Sequence, residues 1–224
     1  MSASPEDVRR ATLERLAALG FRDLPAVPLL EGARVRRTLP EVRARMLCIH
    51  TALVLAYRGM TRKATQGWVE RAGLGLHLSP GERQLVARSD RDLGVRLMHR
   101  VEALWALAWA AGRAPALDPL ECCSDELATW FPDPRQPQAA PQLELPGLRG
   151  EAELIAACDL FRCLEGHAFR SGLLLKPLRP GVRATGYSAM NRRLALEWLL
   201  VTDRWDRPDG EPDGGWMLQG VTAT

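Results

Sequence analysis

Residues 99–112 read HRVEALWALAWAAG, and this stretch decides the fold class. Trp105 and Trp109 stand one helical turn apart, and Leu104 and Ala108 keep the same spacing. Glu102 lies about 60° around such a helix from Trp105 and about 20° from Trp109, on the flank of the apolar stripe. Upstream, Leu93, Leu97 and Val101 extend the stripe, so one long helix is expected from a cap at Ser89 to a stop at Gly112. Pro115 prevents a restart.

Working outward, the chain is punctuated by helix starts. "SPED" offers Ser4 as N-cap, Pro5 at the first helical position and Asp7 at the third. Val8, Thr12, Leu16 and Leu19 follow at helical spacing, and Gly20 ends that helix. "TLPE" at Thr38 repeats the logic for a helix to about Arg58, and a short helix carrying Trp68 spans about Thr61 to Ala72. "SPGE" at Ser79 opens another short helix. "DPLE" at Asp118 and "SDEL" at Ser124 read as two more. Residues 132–147 are rich in proline and have no apolar period, so they read as a loop. Two helices are expected beyond it, about Glu151 to Arg170 and about Ser188 to Asp206, with "GLLL" before the second as a candidate short strand. No period-two run is long enough for a sheet. The expected fold is all-α, with about six to nine helices and a Pro-rich loop before a C-terminal helical pair. The expected organisation is one helical domain over 1–206, with N-terminal helices in 1–131, the loop in 132–147 and C-terminal helices in 148–206. An irregular tail, 207–224, carries Trp216.

The 224 residues suffice to bury a core without staples. No window approaches the ~18 apolar residues of a membrane span, and the N-terminus lacks the apolar core of a secretory signal. No membrane association and a cytoplasmic location are expected. The five cysteines (48, 122, 123, 158, 163) contain no C-x-x-C pair and read as free thiols. Among the basic residues only Lys63 and Lys176 are lysines. A GC-rich bacterial genome accounts for so many arginines. A phosphate-binding surface would also use them, but the net charge is only +3, so nucleic acid is not an expected partner. Residues 1–62 hold 11 basic and 6 acidic residues, a net of +5. Residues 118–165 hold 3 basic and 10 acidic, a net of −7. That asymmetry would orient a charged partner or match two halves of the chain to each other.

Three acids flank apolar stripes: Glu102, Asp159 in "AACDLFRC", and Glu197 beside Trp198. Glu197 follows Arg193 by four residues, a same-face ion-pair spacing. Converging in one cleft, the acids would acquire raised pKa values and act as acid or base. Paired with arginines such as Arg36, Arg37, Arg162 or Arg193, they would instead fix helix registry. The candidate set, a pocket or a structural ion-pair network, is Glu102, Trp105, Trp109, Asp159, Arg193, Glu197 and Trp198. No metal site is expected. His99 and Glu102 share a face, but the pattern occurs once and in the reverse order to a carboxylate-bridged di-iron bundle. Cys122 and Cys123, in the first turns of short helices, would have lowered thiol pKa values, yet no histidine is near in sequence. No P-loop, G-x-G-x-x-G, G-x-S-x-G or H-E-x-x-H occurs, so no catalytic residue and no cofactor is assigned. Trp130 and Trp205, near helix ends, are candidates for a partner groove.

"LPEVRARML", the pair Gly67–Trp68, "LSPGE" and "RVEALWALAWAAG" together resemble the bacterial family called domain of unknown function 4272. "EAELIAACDLFRC" and "NRRLALEWLL" with the following "RWD" extend the likeness, so that it spans about residues 36–206. The resemblance implies a soluble helical protein and no established activity. The expected function is therefore a non-catalytic cytosolic protein that binds another protein, of the adaptor or toxin-immunity kind. The alternative is a small enzyme or ligand-binding protein with a carboxylate-lined pocket between the long Trp helix and the last helix. The small molecule would be unknown.

Overall fold

The structure is a computed structural model that describes residues 3–88, 90–136, 142–203 and 205. Ser89, the expected helix cap, and the tail 207–224 with Trp216 lie outside the described residues, as does part of the Pro-rich loop. Among the described residues the chain is all-helical, with eight α-helices, one 3-10 helix and no strand. No helix among them is long and apolar enough to cross a membrane. The chain divides into two units.

The first unit draws on Met1–Arg36, Asp118–Cys122 and Gly150–Thr224. It contains α1 (Pro5–Ala18), α7 (Glu151–Arg170) and α8 (Gly186–Leu200). Both α1 and α8 pack on α7. The N-terminal helix thus packs on α7 of the C-terminal pair. Ser4 and Asp7 form the expected capping box at α1. Helix α8 starts earlier than expected because Thr185 and Ser188 form a reciprocal box, and it ends at Leu200, short of the expected Asp206. Its C-terminal carbonyls are met by another segment: the N–H groups of Arg34 and Arg36 donate to Leu200 and Leu199. The Glu151 carboxylate accepts the N–H between them, that of Val35, at 2.8 Å. "GLLL" is a turn and not a strand, with Leu173 N–H closing back on Ala168 O at the end of α7. "DPLE" is also a turn and not a helix. Asp118 Oδ1 accepts from Leu120 N–H at 2.8 Å, the local competition that keeps aspartate out of helices.

The second unit draws on Arg37–Leu117 and Cys123–Arg149. It contains α2 (Leu39–Ala56), α3 (Arg62–Arg71), α4 (Pro80–Arg88), α5 (Arg91–Met98), α6 (Val101–Ala110) and the 3-10 helix Asp125–Trp130. Helix α2 packs against α3, α4, α5 and α6. Thr38–Glu41 caps it as expected. Behind its stripe, Thr51 Oγ1 donates to Leu47 O and accepts from Trp68 Nε1, so the Trp68 indole is satisfied within the core.

The long helix read from the opening stretch is two helices. Asp90 caps α5, and the chain turns tightly at His99 and Arg100, where Arg100 N–H bonds Leu97 O and Glu102 N–H bonds His99 O. No Pro or Gly marks this break. The two pieces have different surroundings: α5 buries one face, whereas every residue from Glu102 to Ala110 is buried. Helix α6 is therefore enclosed all round rather than striped, as its near-continuous apolar sequence allows. Gly112 ends it at φ +74°, a conformation that glycine adopts without strain.

In the first unit Gly186 lies tight against α7 and the turn that follows it. A Cβ there would stand 2.7 Å from both Ala168 Cβ and Leu174 Cα. Gly186→Ala is expected to destabilise the protein by roughly 2–3 kcal/mol, because backbone rather than a flexible side chain must move. Urea denaturation of the variant measures this; an unchanged midpoint would contradict the packing.

Candidate functional site

Helices α7 and α8 bring Arg193 and Glu197 of the candidate set into one cluster with Arg162 and Glu165. Arg193 is 2% exposed. It contacts Glu165 through Nε at 2.5 Å and Nη2 at 3.0 Å, and Glu197 through Nη1 at 2.5 Å. Arg162 approaches the other oxygen of Glu197 at 3.4 Å. Two arginines and two glutamates therefore alternate along the α7–α8 seam. Burial works against the Arg193 charge, but Glu165 and Glu197 outweigh it and hold its pKa above the ordinary arginine value. The sequence spacing identified Arg193 and Glu197. It did not find Glu165, whose alignment with Arg193 depends on how the two helices meet.

Asp159 is 1% exposed and is held by Arg9 of α1. The guanidinium forks onto the carboxylate, Nε at 3.0 Å and Nη2 at 2.7 Å, while its remaining donors reach Val27 O and Pro28 O. Arg9 was not among the arginines expected to pair with these acids, since 150 residues separate it from Asp159. The pair joins the basic N-terminal stretch to the acidic stretch 118–165. Nearby, Arg192 lies over the Phe161 ring at 5.4 Å and donates to Asp118 O and Glu121 O. This arginine is one reason the "DPLE" turn is ordered. Trp198 packs edge-on against Trp205 at 5.4 Å, so both tryptophans are buried.

Glu102, Trp105 and Trp109 belong to the other unit. Glu102 is 6% exposed and accepts the Cys123 N–H at 3.0 Å. Trp105 stacks on Trp130 with centroids 5.3 Å apart. Arg149 lies over Trp109 at 4.9 Å and donates Nε to Trp109 O at 2.8 Å. Glu82, which the "SPGE" box placed only as a cap, also forms a buried ion pair with Arg45. That guanidinium also donates to His77 O at 3.0 Å.

Three of the thiols are held protonated by burial. Burial pushes Cys48 up to about 12 and Cys163 up to about 11, and it raises Cys158 as well. Cys122 and Cys123 precede the 3-10 helix and its N-cap Ser124, outside any first turn. Cys122 Sγ donates to Arg183 O at 3.2 Å. Among the described residues no group of three or more His, Cys, Asp and Glu side chains is placed to hold a metal ion.

Two expected outcomes follow from these environments. Glu165→Ala leaves Arg193 buried with one carboxylate fewer and is expected to cost roughly 3 kcal/mol, measured by urea unfolding. His50 is stacked on Phe131 with centroids 4.6 Å apart, and burial pushes its pKa down to about 4 against the opposing pull of Asp133. The unfolded imidazole binds its proton near 6.5, so this contribution to stability is intact above that pH. It is lost as pH falls towards 4, by about 3 kcal/mol in all. A ring titration of His50 by NMR with a midpoint near 6.5 would contradict this.

The family described as Domain of unknown function (DUF4272) matches residues 9–208. No curated protein and no solved structure matches the chain at a significant level. The matched range begins at Arg9, the partner of Asp159, and runs through both helices of the Arg193 seam. It covers most of the sequence, and the chain belongs to the DUF4272 family.

Proposed function

We propose that this chain is a non-catalytic, cytoplasmic bacterial protein that works by binding another protein, in the manner of an adaptor or immunity protein. One observation carries the reading. The acids that would have to act as acid or base are occupied by fixed partners: Asp159 by the Arg9 fork, and Glu197 by Arg193 with Arg162 beside it. Each of these carboxylates is engaged by a guanidinium from a second helix, a structural use of the group. The raised thiol pKa values point the same way, since a thiol and not a thiolate is present at neutral pH.

The test uses the full-length chain. Tagged protein recovered from its native cell is expected to bring down a heteromeric partner. That partner, purified, is expected to rebind the chain with submicromolar affinity in calorimetry. A clean monomer that turns over a metabolite, with turnover abolished in Asp159→Asn or Glu197→Gln while the fold persists, would overturn the reading.

A further inference from the structure

Four helices of the second unit meet at one corner. Arg62, at the start of α3, donates Nη1 to Ala87 O in the last turn of α4 at 3.1 Å. Gly94 of α5 packs on the end of α2, where a Cβ on it would stand 3.7 Å from Ala56 Cα and 3.6 Å from Leu85 Cδ1 of α4. Tyr57 and Val95, the residues that follow Ala56 and Gly94, are nonetheless 59% and 53% exposed. Six exposed cations are carried by the same helix ends: Arg58, Arg62, Lys63, Arg88, Arg91 and Arg96. Among the described residues none of the six has an ion-pair partner. The neighbouring acid Asp90 is committed elsewhere, since its Oδ1 accepts the Asp92 and Leu93 N–H groups at 3.0 Å.

At two positions this charge works against the fold. Arg58 follows the C-cap of α2 with φ +60°, a left-handed conformation that glycine adopts freely and arginine adopts at a cost. Lys63 stands in the first turn of α3, which holds no acid, so its charge opposes the helix dipole. Among the described residues neither side chain has a hydrogen-bond partner, so no local contact offsets the cost. A glycine at 58 and a glutamate at 63 would suit the backbone better. Local preference overridden without a packing gain points to use by something outside the fold. The composition says what kind. Tyrosine and arginine are enriched in protein–protein contacts and lysine is depleted, and here a tyrosine and a valine are accompanied by five arginines and one lysine. A nucleic-acid backbone would use the cations but not Val95, and a lone tyrosine is no platform for successive bases. The uncompensated charge calls for an acidic occupant.

We infer that this corner is the docking surface for an acidic segment of another protein. The segment sets an apolar side chain against Tyr57 and Val95 and carboxylates against the surrounding cations. The inference rests on the protein-binding reading above, and names the face and the chemistry of the partner. Its test uses a defined probe, so it can fail while a native partner is still recovered, and the reverse.

The probe is a fluorescent synthetic peptide, EEDLWDEE, titrated with the full chain in about 0.1 M salt. It is expected to bind, and to bind about tenfold more weakly when its central LW is replaced by SS, or when the protein carries Y57A or R91E. R58G and K63E separate docking from a structural role. Each is expected to keep or raise the urea midpoint while weakening the peptide about threefold. No binding of the peptide, or equal affinity for wild type and the four variants, overturns the inference. A lowered midpoint in both R58G and K63E assigns those residues to the fold and also overturns it. So does tighter binding of a single DNA strand of about 15 nucleotides, or of phosphatidylserine vesicles, through the same residues.

Discussion

Arg193 carries its positive charge in a place where water scarcely reaches, and the α7–α8 pair depends on how that charge is met. A guanidinium buried alone would cost several kcal/mol. Here Glu165 from α7 and Glu197 from α8 meet it, and Arg162 meets the far oxygen of Glu197. Glu165 comes from α7 and Arg193 from α8, so sliding one helix along the other would separate the pair. The close approach at Gly186 is compatible with the same register, so the electrostatic and steric constraints agree.

The Arg9–Asp159 fork does for α1 what Arg193 does for α8. It ties the first helix of the chain to α7, and its spare donors hold the connector at Val27 and Pro28. In the second unit the same device recurs as Arg45 with Glu82 between α2 and α4. Each case places an arginine at a helix junction, and for Arg9 and Arg45 backbone carbonyls take further donors. The arginine-rich composition thus has a structural use at these sites, where lysine would lack the fork. Pairs of this sort contribute specificity of arrangement more than net stability.

Much of the architecture was legible in the sequence because its signals are local. The Ser4 and Thr38 caps act within one turn, and each is observed where it was read. The span Glu151–Arg170 was also legible, since Leu154, Cys158, Phe161 and Leu164 recur at helical spacing along it. The break at His99–Arg100 was not, because it has no breaking residue; burial on all sides of α6 and on one side of α5 separates them. The "DPLE" turn was misread as a helix because the capping pattern of aspartate and proline also suits an Asx turn. Of the candidate acids, Glu197 could be matched to Arg193 by counting residues on one helix. Asp159 could not be matched to Arg9, and Glu102 could not be matched to the Cys123 amide, because those pairings arise only when distant segments meet.

The structural role of Asp159, tying α7 to α1 through Arg9, carries this account. A double-mutant cycle between Arg9 and Asp159, using Arg9→Met and Asp159→Asn in the full chain, tests it most directly. The account predicts that each single variant is destabilised and that the two positions are coupled by about 2 kcal/mol in urea unfolding. A coupling energy near zero, with stability unchanged in Asp159→Asn, would show that the carboxylate is not structural and would contradict the account.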